Sequence, residues 1–274
     1  MSSQPVDSAR SSPVPQPASD HSNGDALKAL LAQRPMASSL QKEATLEVGA
    51  SRKDSCRLHY ELHDTGKVRV LFINGYGTSS SGWEPTVSYL TSTKPGYYEI
   101  CVFDNRGCGF SDAPWGMYST SGMAADTVEL LDHLGWDKNI HIVGISMGGM
   151  ISQEIAHMVP RRLASITLLS THAGLTTPPL TGLKHMALNM TSSDLATRIH
   201  HSSKMLFPDS WLEKQCAFDS SITNRDLFAT MVKRRDMYTR PTPLQGILGQ
   251  TAAISRHFTS CLHEADITPR ALVR

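Results

Sequence analysis

The sequence predicts an α/β fold built on a mostly parallel sheet. Two observations carry that prediction. Short apolar runs rich in Val and Ile end in Gly, Asn or Asp, as buried strands do. Between them lie stretches whose apolar residues recur at three and four, as on a helix face. Strands alternating with helices make a parallel sheet covered on both sides. Length and composition allow it: 274 residues, 40% apolar and 19% charged, suffice for one large domain with its own core.

The elements follow in order. Residues 1–24 are mostly Ser, Pro, Gln and Asp and cannot bury enough surface to offset their ordering entropy, so a disordered tail is expected there. Two strands are expected near 44–48 and 57–63. VRVLFI (68–73), EICVF (99–103), IHIVGI (140–145) and the run 166–169 supply four more. Met123, Thr127, Leu130, Leu131 and Leu134 mark one helix, with Gly135 at the position of a C-terminal cap. Ile151, Ile155 and Met158 mark a second, stopped by Pro160. This core spans 40–171. From 172 to 262 helical patterns run without apolar strands between them, punctuated by prolines, and read as a helical cap.

The chemistry lies in Gly144-Ile145-Ser146-Met147-Gly148-Gly149, between an apolar strand and an apolar helix. A nucleophilic serine on a sharp strand-to-helix turn needs glycines two residues either side, where a side chain would strike the neighbouring elements. Ser146 is therefore the candidate nucleophile. The Met147 N–H, at the start of the helix, is a candidate oxyanion donor. Asn74-Gly75-Tyr76-Gly77 follows another strand and offers a second donor, the Tyr76 N–H, with Asn74 and Gly75 shaping the turn. Asp104-Asn105-Arg106-Gly107-Cys108-Gly109 follows a third; Asp104 and Arg106 are expected to pair and hold that loop.

These three stretches, NGYG, DNRGCGFSD and GISMGG, resemble in content and order the HGxG, DxRGxGxSD and GxSMGG motifs of the α/β-hydrolase superfamily. The resemblance covers roughly residues 40–175. It implies an α/β-hydrolase sheet with a helical cap and a serine nucleophile, since the dehalogenase and epoxide-hydrolase branches carry aspartate at the elbow. It implies hydrolysis of a carboxylic ester, lipid ester or thioester through an acyl-enzyme. Asn74 departs from the usual His of that loop.

The family's acid and histidine follow the cap. Ile267, Pro269, Leu272 and Val273 resemble the start of the post-cap strand, so 263–274 reads as its stub, with the last strands, the acid and the histidine missing. The resemblance thus implies a truncated chain. Among the histidines present, His157 lies eleven residues along the helix that Ser146 opens, about 16 Å away. His172, beside the elbow strand, is the best-placed substitute base. The alternative is a catalytically impaired or purely binding relative lacking the triad Asp and His. An acyltransferase would share the same nucleophile.

Other classes are disfavoured. With 26 basic and 25 acidic side chains, the net charge is +1, too little to steer the chain onto nucleic acid. The five cysteines (Cys56, Cys101, Cys108, Cys216, Cys261) are odd in number, widely spaced and without CxxC, so neither a disulfide frame nor a zinc site is expected. No metal or cofactor motif is present. No secretory signal or membrane-length apolar run is visible, so a cytoplasmic location is expected. Met186, Leu188, Met190, Met205, Leu206 and Phe207 in the cap suit an apolar, ester or lipid-like small molecule, and core packing explains them equally well. Oligomeric state is open.

Overall fold

The computed structural model describes residues 37–174, 180–217 and 219–257. The tail expected at 1–24 and the stub expected at 263–274, with Cys261, lie outside the described residues.

Six strands form one sheet in the order β1-β2-β4-β3-β5-β6. They are β1 (Leu40–Val48), β2 (Cys56–His63), β3 (Val68–Ile73), β4 (Tyr98–Phe103), β5 (Ile140–Ile145) and β6 (Leu163–Leu169). β1 and β2 pair antiparallel, as do β2 and β4. β4, β3, β5 and β6 run parallel. β1 and β6 begin earlier than their apolar runs, because an edge strand can carry polar residues on its open side.

Alternate residues of each strand enter opposite layers. Leu71 and Ile73 join Leu58, Tyr60, Phe103 and Ile142 under α2 (Thr120–His133) and α3 (Met147–Met158). Val70 and Phe72 join Ile100 and Val102 on the other face, under Trp83 and Val87 of the turn leading into α1 (Glu84–Thr93) and of that helix. Burying each such side chain is worth about 1.5–3 kcal/mol. α2 is capped at its start by Ser119, whose hydroxyl accepts from the Gly122 N–H, and ends before Gly135 at φ 67°. β6 is the less covered edge: Leu168 and Leu169 are 45% and 38% exposed.

After β6 the described chain forms α4 (Leu180–Thr191), α5 (Leu195–Leu206), α6 (Asp209–Leu212), α7 (Asn224–Met237) and α8 (Leu244–Ser255). A capping box of Thr223 and Asp226 starts α7. Ion pairs tie these helices together, among them Arg198 of α5 to Asp236 of α7 at 2.9 Å, and one, Arg234 of α7 to the buried Glu84, ties them to α1. No helix among the described residues is long and apolar enough to cross a membrane.

β3 is followed by a connection toward β4 on one side, and β5 by a connection toward β6 on the other. The loops leaving these two neighbours therefore diverge and open a crevice at their carboxyl ends, where open α/β sheets bind ligands.

Candidate active site

Ser146 occupies that crevice between β5 and α3. Its backbone is at φ 54° and ψ −118°, a region that L-residues seldom enter. The neighbouring glycines are dictated by contact. A Cβ on Gly144 would lie 2.3 Å from Ser152 Oγ, one on Gly148 2.2 Å from the Ile73 carbonyl oxygen, and one on Gly149 2.6 Å from Thr171. The Ser146 N–H donates to the Leu169 carbonyl at 2.9 Å, and Thr171 Oγ1 donates to the Ser146 carbonyl at 2.8 Å. Thr171 thus clamps the elbow, a role with no local sign in the sequence.

Met147 is the first residue of α3, so its N–H has no acceptor within the helix. The second loop passes close by: a Cβ on Gly75 would sit 3.3 Å from Ser146 Cβ. Asn74 fixes that loop from below. Its Nδ2 donates to the Phe103 carbonyl at 3.0 Å, and its own carbonyl accepts from Asn105 Nδ2 at 3.1 Å. The Tyr76 side chain turns away to α8, its hydroxyl bonding Thr251 Oγ1 at 2.5 Å.

The expected Asp104–Arg106 pair is not formed. Two residues apart on one loop, the side chains leave in different directions. Asp104 accepts from the N–H groups of Ser80 at 2.6 Å and Phe110 at 2.8 Å, tying the loop to the turn before α1. Arg106 reaches Asp126 of α2 at 2.6 Å and Asp54 at 2.6 Å. Burial opposes its charge, but the bonds and attraction from Asp126 outweigh it and raise the pKa. Both residues hold the loop, through separate partners.

A family model described as alpha/beta hydrolase fold matches residues 68–199. Over these residues, and in its fold, the chain is similar to the α/β-hydrolase superfamily. It is 35% identical over 104 residues to 3-oxoadipate enol-lactonase 2 of Acinetobacter baylyi, covering 38% of this chain and 37% of that protein. The chain matches only about two fifths of the length of the first curated relatives. Among solved structures, a hydrolase from Pseudomonas aeruginosa PA01 superposes with a TM-score of 0.58 at 25% identity, over 79% of this chain and 74% of that one. The enol-lactonase from Burkholderia xenovorans LB400 gives 0.57 at 23% identity, over 74% and 71%, a likeness of fold.

An α/β-hydrolase serine needs a base in hydrogen-bond reach. His172 stands just past Thr171, but its Nδ1 accepts from the Gly174 N–H at 3.0 Å. A neutral imidazole has one acceptor nitrogen, and here it is already used. The structure does not pair His172 with Ser146. His257 lies 6.3 Å from His172 between ring centroids, with Thr120 Oγ1 at 2.9 Å and Glu154 Oε1 at 3.6 Å. Burial, then the charge of His172, lowers its pKa. Glu154 is eight residues down α3, about 12 Å from Ser146, so this histidine–acid pair belongs to the seam between helices.

Glu43, His59 and Glu61 bring three metal-type ligand atoms within 4.8 Å of one another. His59 Nε2 is 3.0 Å from Glu43, and its Nδ1 is 3.4 Å from Asp104. Burial opposes the ring's charge, yet Asp104 and Glu43 raise its pKa. A ring facing carboxylates from both nitrogens is suited to imidazolium more than to a metal ion.

Proposed function

We propose that this chain is an α/β-hydrolase that attacks a carboxylic ester through Ser146. The observation that carries the reading is the elbow: Ser146 at φ 54°, at the start of a helix, with the Gly75 backbone against its Cβ. Its Oγ adds to the ester carbonyl while the hydroxyl proton passes to a water molecule, since no side-chain base among the described residues is paired with it, and returns to the departing alkoxide. The N–H groups of Met147 and Tyr76 receive the oxyanion. Collapse expels the alcohol, and water then releases the carboxylic acid from the acyl-enzyme. An ester class agrees with the enol-lactonase relative, whose named substrate type is a cyclic ester. The helical segment offers apolar side chains to an acyl group, with Leu188 and Met205 39% and 40% exposed.

His172 favours a second reading, a site that binds acyl compounds and turns them over slowly, because its acceptor nitrogen is occupied. An oxyanion hole and binding without the triad retain an acceleration of about 10³–10⁴ over water. Hydrolysis of p-nitrophenyl butyrate by the chain and by Ser146→Ala tests the proposal. Release of p-nitrophenol that the substitution abolishes is expected; equal release by both proteins overturns it.

A further inference from the structure

A second cleft lies where the oxyanion loop continues past Gly77 and meets the helical segment. It encloses about 40 Å³ between Thr78, the end of α7 and the residues that follow that helix. At roughly 10–15 Å³ for each water-sized centre, that is room for one small group and not for an acyl chain.

Three arginines line it, Arg198, Arg235 and Arg240, against one carboxylate, Asp236. Asp236 is taken by Arg198 at 2.9 Å. Arg240 stacks over the Phe110 ring at 5.0 Å. Arg235 has no ion pair among the described residues, in contrast to its neighbour Arg234, which is paired with Glu84. Burial, and next the charge of Arg198, pull the Arg235 pKa down, opposed by the charge of Asp236; a guanidinium keeps its proton in proteins. The Thr239 hydroxyl is buried there with no hydrogen-bond partner among the described residues. A buried cation whose nearest carboxylate is already paired with another arginine, and an orphaned donor facing the same small cleft, are both costly unless something anionic completes them. The Arg guanidinium fork matches the oxygens of carboxylate and phosphate.

We propose that this cleft binds a small oxyanion, a phosphate or carboxylate group, held by Arg235 and the Thr239 hydroxyl with Arg198 and Arg240 around it. Thr78 Oγ1 donates to the Gly75 carbonyl at 3.0 Å, so an occupied cleft also steadies the loop that carries Tyr76.

Calorimetric titration of the full chain with sodium phosphate and with sodium acetate, at constant ionic strength, tests this. Saturable binding of at least one anion is expected, in the millimolar range or tighter. Arg235→Met should weaken it about ten- to a hundredfold, while Arg161→Gln, on the exposed turn before β6, leaves it unchanged. Without anion, Arg235→Met should unfold at a higher temperature than the parent, since it removes an unpaired charge. Phosphate alone binding assigns a phosphate group, acetate alone a carboxylate. Absence of saturable binding of either anion, or undiminished binding by Arg235→Met, overturns the proposal. Should that variant not fold, Arg240→Gln is read in the same way.

Discussion

Ser146 is held at positive φ by neighbours that leave no room for relaxation: Gly148 lies under the Ile73 carbonyl and Gly144 against Ser152. The turn residues 144–149 were readable in the sequence because the turn tolerates so few residue types. Arg106 was readable as a loop residue but not in its partners, since Asp126 lies twenty positions away and Asp54 fifty-two. Its guanidinium is buried against Asp126, so Arg106→Gln leaves that carboxylate with Arg52 alone. A loss of about 3 kcal/mol in urea unfolding is expected; a loss under about 1 kcal/mol would show that the pair is not supporting the loop. His59 gives a pH prediction. Its folded pKa is raised, so its contribution is full below the unfolded value of about 6.5 and is lost as pH rises through the folded value. His257 has a lowered pKa and acts in the opposite sense, but it is common to parent and variant. The difference in stability between the parent and His59→Gln should therefore shrink as pH rises from 6 through the folded pKa. A difference independent of pH contradicts the assignment.

The central strands were legible because β3, β4 and β5 bury alternate residues in two apolar layers and carry a polar side chain only at their second residue, Arg69, Glu99 and His141. The edge strands were legible only in part, at β1 from 44 and at β6 from 166. The docking of α8 was not legible at all. It rests on contacts more than a hundred residues apart, most of them to backbone: Gln250 accepts from the Gly77 N–H at 2.8 Å and donates to the Arg106 carbonyl at 2.9 Å. The approach is so close that a Cβ on Gly246 would fall 1.8 Å from the Gly107 carbonyl oxygen. Gly246→Ala should therefore displace α8 from both site loops at a cost of about 1–3 kcal/mol. Faster hydrogen exchange over 244–255 and 74–77 is the readout; unchanged exchange in both segments would mean that the helix does not brace the loops.

At the scale of the molecule, the divergence of the connections after β3 and β5 turns separate motifs into one site. NGYG and GISMGG are some seventy residues apart in the chain, yet the parallel pairing of β3 and β5, with Ile73 opposite Gly144, sets Gly75 against Ser146. Sequence order predicted each loop but not the pairing of these strands, because pairing depends on which neighbour each apolar run finds. The most direct test of the account is covalent. The folded chain is treated with a fluorophosphonate probe beside Ser146→Ala, and the modified peptide is mapped by mass spectrometry. The account predicts a single adduct on Ser146 that is absent from the variant. An adduct elsewhere, or none in a chain shown to be folded by circular dichroism, contradicts an activated serine at the elbow.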